Sequence, residues 1–356
     1  MRQFIGMLAA IALTALCWGI YGPVIHEGQT LMASRLRPFM CVGAAYFLIA
    51  VLVPALLLVR RGEKGTWTMK GVLWSLLAGA CGALGALGVI LALAAGGKPI
   101  YVMPLVFGGA PVVNTLLSAF LNRAFGQLKA AFLAGLLLVI TGAVTVLVFK
   151  PQPAVHAPAA AAAKESEASS AETEPSVAPT GDTAVEAASK VIEKRTERFL
   201  EVLLAVAMTV LCWGAYGPVL HKGQMAMQGS RLRPLLCIGL AYFLIAVLVP
   251  LGLLGPLGDS GNWSVGGVLW GLGGGSLGAL GALGTILAFN LGGKPFTVMP
   301  VVFGCAPVIN TLTSSLLQGT SLANLSPFFL AGMLIVGVGA ATVLAFGPRG
   351  HAPAKS

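Results

Sequence analysis

Two stretches of the sequence carry the same aromatic and hydrogen-bonding side chains at the same spacing. They comprise Trp18, Tyr21, His26 and Gln29 in the first stretch and Trp213, Tyr216, His221 and Gln224 in the second. Aromatic rings offer flat apolar faces to a small organic substrate, and histidine titrates near neutral pH. The alternative is an aromatic belt, because Trp and Tyr favour the membrane–water interface. Trp18 and Tyr21 share a helical face, so both Trp–Tyr–His sets stay candidate substrate-binding residues.

A second pair of stretches combines two prolines with an asparagine. Pro104, Pro111 and Asn114 form one set, and Pro300, Pro307 and Asn310 form the other. Prolines seven residues apart lie on nearly the same face of a helix, and each kinks the helix and frees a carbonyl. Transporters build substrate sites at such broken helices, so both asparagines are candidates for lining a cavity. The alternative is that each asparagine only packs between helices, which is worth about 1 kcal/mol.

Acidic side chains are nearly absent outside one central stretch. Outside residues 151 to 201 only Glu27, Glu63 and Asp259 remain. The sequence has no HExxH, no GxSxG and no paired carboxylates within an apolar run, which argues against an intramembrane enzyme. The six cysteines lie in apolar runs without CxxC spacing. We therefore predict no catalytic residue, no metal and no cofactor, and proton or ion coupling would have to use His26, His221 or Glu27.

The elements that must position these residues are long apolar runs. Of the 356 residues, 57% are hydrophobic and 10% charged, with a net charge of +10. This composition excludes a water-soluble fold and predicts a lipid bilayer as the surroundings. The basic residues lie singly or in small groups between the runs, which is typical of membrane topology signals and argues against nucleic-acid binding.

Ten runs are long enough to cross a bilayer as helices, which takes about 20 residues each. They lie near Phe4–Tyr21, Phe39–Val59, Val72–Ala95, Ile100–Leu121, Ala130–Phe149, Val202–Leu220, Leu235–Leu254, Val265–Leu291, Phe296–Leu317 and Phe328–Phe346. The sequence therefore predicts an all-α integral membrane fold with ten transmembrane helices.

The chain consists of two tandem copies of one five-helix unit. ALCWGIYGPVIHEGQ realigns on VLCWGAYGPVLHKGQ, and SRLRPFMCVGAAYFLIAVLVP on SRLRPLLCIGLAYFLIAVLVP. The duplication predicts a first repeat over 1–150 and a second over 199–348, with a tail at 349–356. Residues 151–198 are rich in Ala, Pro, Ser and Glu, which predicts a disordered linker that could become helical after Thr183.

Glycines recur every three residues in the third helix of each repeat. They are Gly79, Gly82, Gly85 and Gly88 in the first repeat and Gly275, Gly278, Gly281 and Gly284 in the second. Such a stripe lets helix backbones approach closely in lipid, so we predict a packing role. Lys98 and Lys294 precede the fourth helices, where they could meet an anionic ligand or snorkel to the membrane surface.

An odd number of crossings per repeat predicts two inverted repeats. The loops after the second and fourth helices of the first repeat hold six Lys or Arg residues, whereas the matching loops of the second repeat hold none. The positive-inside rule then predicts a plasma (inner) membrane protein with both termini cytoplasmic and the linker external. One basic cluster, at residues 190 to 198, opposes this orientation and is interleaved with glutamates.

The sequence resembles the EamA-like branch of the drug/metabolite transporter superfamily. The shared features are the five-plus-five arrangement, the WG in the first helix of each half, the Pro-containing fourth helix and the closing AGLLLVITGAVTVL helix. The resemblance covers both halves but not the linker. It implies a secondary transporter with a central cavity between the halves and alternating access. The chain departs from many members in lacking a Glu near the start of the loop between the fourth and fifth helices, where it reads LNRAFGQL and LQGTSLANL.

We therefore expect a secondary transporter of a small polar or amphipathic metabolite, with the lipid bilayer and a small-molecule substrate as its partners. The rival hypothesis is a non-transporting membrane scaffold or lipid-handling protein whose linker is the working part. Deleting the linker discriminates between the two, because only the rival would lose its function.

Overall fold

The chain folds into helices that are suited to a bilayer. The computed structural model describes residues 1–97, 99–149, 181–317 and 326–348, and within these ranges it contains no strand. Ten of the described helices are long and apolar enough to cross a membrane. The chain is therefore a multi-pass, all-α membrane protein. Lys98, most of the predicted linker and the C-terminal tail lie outside the described residues.

The helices follow the two repeats in chain order. They are α1 Arg2–Met32, α2 Leu36–Arg61, α3 Met69–Ala94, α4 Pro99–Asn122, α5 Ala130–Val148, α6 Gly181–Ala226, α7 Leu232–Leu253, α8 Val265–Asn290, α9 Pro295–Leu317 and α10 Pro327–Phe346. Equivalent positions of α2 and α7 carry a π-helical turn, at Phe47–Leu52 and Leu244–Leu248. In each helix a proline follows the turn, and its missing N–H explains why the regular ladder of hydrogen bonds is interrupted there.

Local side chains define several helix ends. Thr68 and Ser264 occupy equivalent positions before α3 and α8, and each hydroxyl accepts the backbone N–H three residues later. Such N-caps stabilise a helix by about 1 kcal/mol.

The predicted end of the first helix at Tyr21 was too early, since α1 runs on to Met32 and ends at Ala33 with a left-handed φ of 47°. Hydropathy falls at the polar residues after Pro23, but their helix continues because it packs against α8.

The first helix of the second repeat, α6, starts earlier than its apolar run. α6 begins at Gly181, inside the range predicted as linker and close to the helix start considered at Thr183. Residues 151–180 lie outside the described residues. α6 also ends at Ala226, six residues beyond the predicted end at Leu220, whereas the other span ends not named above agree with the observed helices to within three residues.

Helices of one repeat pack mainly against helices of the other. α1 packs on α8 and α9, and the equivalent α6 packs on α3 and α4. α1 runs antiparallel to α8, because Thr14 lies against Gly284 whereas Gly28 lies against Gly271. Most contacts in the core therefore join a helix of one repeat to a helix of the other.

Repeat-equivalent helices also meet each other. Gly43 of α2 lies against Ala246 of α7, and Gly239 of α7 lies against Ala50 of α2. The contact is thus reciprocal, and the two equivalent helices run antiparallel. α5 and α10 form a second antiparallel pair in the same manner.

The glycine stripes of α3 and α8 are packing surfaces, as predicted. A Cβ on Gly281 would overlap the Trp18 indole, and one on Gly85 would overlap the Trp213 indole. A Cβ on Gly79 would overlap the backbone of Ile238. Close approach of helix backbones is what small residues provide in a bilayer, where the hydrophobic effect does not drive helices together.

Candidate functional site

A small cavity of about 100 Å³ lies between the two repeats. Ten of its twelve lining residues form five repeat-equivalent pairs, namely Trp18 and Trp213, Tyr21 and Tyr216, Tyr46 and Tyr242, Gly82 and Gly278, and Phe107 and Phe303; Ala86 and Ala306 complete the wall. All of these residues belong to membrane-spanning helices. The cavity therefore has an approximate two-fold symmetry, and both repeats contribute to it equally.

Aromatic rings form most of the cavity wall. Tyr46 and Tyr242 stack with ring centroids 3.9 Å apart and an interplanar angle of 3°. Trp18 meets Tyr216 edge to face at 5.6 Å. Phe107 and its equivalent Phe303 also meet edge to face, at 6.3 Å. The two edge-to-face contacts have the geometry that aromatic pairs favour, and all three contacts join rings of different repeats.

Both indole N–H groups of the wall already donate hydrogen bonds. The Trp18 indole N–H donates to the Gly278 carbonyl at 3.3 Å, and the Trp213 indole N–H donates to the Gly82 carbonyl at 3.2 Å. The glycine stripes thus supply acceptors as well as space.

The tyrosine hydroxyls differ between the two repeats. Those of Tyr21 and Tyr242 lie close enough to interact with each other. The hydroxyl of Tyr216, the repeat equivalent of Tyr21, is buried and has no partner among the described residues. A buried polar group without a partner costs about 1–3 kcal/mol, so the Tyr216 hydroxyl would gain from a polar ligand.

The structure brings together half of the sequence-predicted candidates. Trp18, Tyr21, Trp213 and Tyr216 all line the cavity. Tyr46 and Tyr242 were not predicted, although the AYFLIAVLVP identity that contains them was an available signal. A duplicated tyrosine inside an apolar helix needs a polar partner or a cavity, and that reasoning could have identified them.

The two candidate asparagines lie outside the cavity lining. Asn114 is fully buried, and its amide donates to the Pro295 carbonyl at the start of α9, at 2.8 Å. Its carbonyl oxygen lies against Gly217 of α6 and has no hydrogen-bond partner among the described residues. The amide of Asn310 lies against Gly22 of α1. Both placements favour the packing alternative over contact with a ligand in the cavity.

The candidate kink prolines flank the phenylalanines of the cavity. Phe107 lies four residues before Pro111, and Phe303 four residues before Pro307. α4 and α9 continue through these prolines without a break, and Pro300 is buried within α9. The side chain of Pro104 lies outside the described part of the chain.

The segments around His26 and His221 are repeat equivalents, but they lie in different surroundings at the two ends of the molecule. At one end, an open groove of about 460 Å³ is lined by His26, Gln29, Ile90 and nearby loop residues. His26 is exposed there. At the other end His221 meets the Phe289 ring edge to face at 5.2 Å, and its Nδ1 is buried without a partner among the described residues. One histidine therefore faces an opening, and its equivalent is packed inside.

The loops carry a pair of charged clusters that the sequence analysis missed. Asp259 accepts the Ser34 hydroxyl and pairs with Arg37 at 3.0 Å. The equivalent Glu63 accepts the hydroxyl of Ser230 and pairs with Arg233 at 3.6 Å. Each cluster joins the loop after the second helix of one repeat to the SRLRP segment of the other. The available signal was that two of the three acids outside the central stretch are repeat equivalents.

The charge of Glu63 is stabilised by its surroundings. Partial burial raises the pKa of the Glu63 carboxyl, but hydrogen bonds from Ser230 and from the backbone N–H groups of Arg231 and Leu232, with the charge of Arg231, outweigh it. The net pKa lies below the ordinary value of 4.5. The carboxylate is therefore ionised at neutral pH and ties the two repeats together.

Comparison with known proteins adds evidence on the fold alone. No protein-family model and no curated protein matches the sequence. A solved crystal structure is similar to the chain with a TM-score of 0.61 at 18% identity, over 98% of this chain and 99% of that chain. The match therefore extends over both repeats, and at this identity it describes shared architecture.

Proposed function

We propose that the protein is a secondary transporter of a small polar or amphipathic metabolite. The observation that carries the proposal is the cavity between the repeats, which equivalent side chains of both repeats line. Transporters with duplicated folds bind substrate at the repeat interface and expose it to each side in turn. The open groove at the His26 end and the packed His221 end fit one state of such a cycle.

We also propose that the two halves are inverted repeats, as in the EamA-like branch of the drug/metabolite transporters. Reciprocal antiparallel packing of α2 with α7 supports this. The charge asymmetry of the loops supports it independently and favours cytoplasmic termini with an external linker in the plasma (inner) membrane. The lipid bilayer and the substrate are then the partners that the function needs.

The cavity wall favours an uncharged substrate with one apolar face. None of the lining side chains is acidic or basic. Flat rings can pack against a ring or aliphatic face, and the free Tyr216 hydroxyl offers one hydrogen bond. A full charge buried here without a partner would cost several kcal/mol.

Counterflow in proteoliposomes tests this proposal. Purified protein is assayed with labelled monosaccharides and nucleosides, and with hydroxy acids as a charged comparison that should not be exchanged. We expect saturable exchange of one class, and a KM raised about fivefold by Tyr216→Phe, since one hydrogen bond is worth about 1 kcal/mol. Thr145→Val, which removes a hydroxyl that bonds only within its own helix, is the matched control. Absence of exchange across all classes with folded protein would refute the proposal.

A further inference from the structure

Two helix pairs each combine one helix of the first repeat with one helix of the second, and we call them the crossed pairs. They are the α1–α8 pair and the α3–α6 pair. The hydrogen bonds within one pair are equivalent to those within the other. Thr14 donates to the Gly281 carbonyl at 3.3 Å, and Thr209 donates to the Gly85 carbonyl at 3.1 Å. Towards one end of each pair, Ser264 donates to the Leu31 carbonyl and Thr68 to the Ala226 carbonyl, both at 3.0 Å.

The links between the two pairs do not share this symmetry. Gln224 of α6 is 2% exposed, and its amide donates to the Ile286 carbonyl of α8 at 3.0 Å. This bond joins the α3–α6 pair to the α1–α8 pair. Gln29 of α1 is the repeat equivalent of Gln224, and Ile90 of α3 is the equivalent of Ile286. Gln29 and Ile90 instead line the open groove, and no hydrogen bond joins the Gln29 side chain to a described residue.

The packing around each glutamine follows the same asymmetry. Beside Gln224, His221 packs on Phe289. Gly229, a residue inserted in the second repeat, would place a Cβ 3.4 Å from the side chain of Asn290, so the two elements are close at this end. Beside Gln29, His26 is exposed, and Ala94, the equivalent of Asn290, lines the groove.

We propose that Gln224 and Gln29 are alternating latches between the crossed pairs. In the observed state the Gln224 latch is closed on the Ile286 carbonyl. When the pairs rotate against each other, the Gln29 amide donates to the Ile90 carbonyl and the Gln224 bond breaks. A helix carbonyl has a second lone pair, so it can accept the side-chain amide without losing its own helix bond. The inference rests on the proposed transport function and assigns its gating residues.

Pulsed dipolar spectroscopy between spin labels tests the latches directly. In a cysteine-free background, one label pair at Ala33 and Ala94 reports the groove end, and the equivalent pair at Gln228 and Asn290 reports the other end. All four positions are exposed. We expect Gln224→Leu to shift the population about fivefold towards a longer Gln228–Asn290 distance and a shorter Ala33–Ala94 distance, because one buried hydrogen bond is lost.

The matched variants make the proposal falsifiable. Gln29→Leu should shift both distance distributions in the opposite direction, and the double variant should return close to the wild-type populations. Thr145→Val removes a hydroxyl that bonds only within its own helix and should change nothing. Unchanged populations in both single variants, or shifts in the same direction, would overturn the latch. If the shifts occur but no compound is exchanged, the latch stands and the transport proposal fails; exchange without shifts gives the reverse result.

Discussion

Tyr46 and Tyr242 lie face to face at the centre of the molecule, with ring centroids 3.9 Å apart. They are repeat equivalents, so the approximate two-fold axis passes between their rings. Both rings also line the cavity. The contact where the repeats meet is therefore part of the candidate binding site, and movement between the repeats would change the shape of that site.

The first prediction compares the equivalent tyrosines of the cavity. Tyr21→Phe removes the hydroxyl that interacts with Tyr242 and should lower the free energy of unfolding by about 1 kcal/mol. Tyr216→Phe removes a hydroxyl without a partner among the described residues, so stability should be unchanged or slightly higher. Thermal unfolding in detergent measures both. Equal losses in the two variants would mean that the Tyr216 hydroxyl is satisfied in the folded protein.

The second prediction concerns the glycine stripes. Gly85→Ala and Gly281→Ala place a Cβ inside an indole ring and should each destabilise the protein by about 1–3 kcal/mol, because neighbouring helices must separate. Gly337→Ala on α10 is the matched control, since a Cβ there meets nothing within 4 Å. Yield of folded protein and the unfolding midpoint are the readouts. A midpoint for Gly281→Ala equal to that of the control contradicts the packing role.

The third prediction is the pH dependence of the Glu63 cluster. The folded-state pKa of Glu63 is lowered, so its contribution to stability is complete above the ordinary pKa of 4.5 and is lost as pH falls through the lowered value. Glu63→Gln should therefore cost about 1–3 kcal/mol at pH 7.5 and at pH 5.5, and progressively less below about pH 4.5. Unfolding midpoints across this range test the sign.

Lys64→Gln, at the exposed neighbouring residue, is the control for the Glu63 measurements. Its effect should be within about 0.5 kcal/mol of zero at every pH. A Glu63→Gln penalty that grows as the pH falls would contradict the stabilised carboxylate.

The fourth prediction concerns topology. Gly62 and Gly258 are repeat equivalents in loops, and a Cβ at either meets open space. With inverted repeats, a membrane-impermeant maleimide should label Gly258→Cys on intact cells and Gly62→Cys only after permeabilisation. Labelling of both variants from the same side would rule out the inverted arrangement.

Much of the architecture could be predicted from residue patterns alone. Apolar run lengths located the spans, and the every-third-residue spacing of Gly79 to Gly88 identified a packing surface. Both features are local, and a helix in lipid must satisfy its backbone within itself, so local pattern is enough. The same reasoning identified Trp18 and Tyr21 as candidates, because their spacing places them on one helical face.

The crossed packing and the asymmetry could not be predicted in this way. Which helix lies against α1 depends on contacts between residues more than 200 positions apart, such as Thr14 with Gly281. The duplication places Gln29 and Gln224 in similar segments, HEGQ and HKGQ, and the few differences near them do not predict which end is open and which is packed. The two glutamines differ in their contacts, since Gln224 bonds the Ile286 carbonyl whereas Gln29 lines the groove.

The most direct test of the account is flux through a protein whose cavity has been filled. Ala86→Phe and Ala306→Phe each place a ring in the cavity between the repeats, whereas Ala9→Phe places the same ring on an exposed face of α1. Counterflow of the identified substrate class should continue in Ala9→Phe and fall to the level of empty liposomes in the two filled variants. Undiminished flux in folded Ala86→Phe and Ala306→Phe would contradict the assignment of this cavity as the transport site.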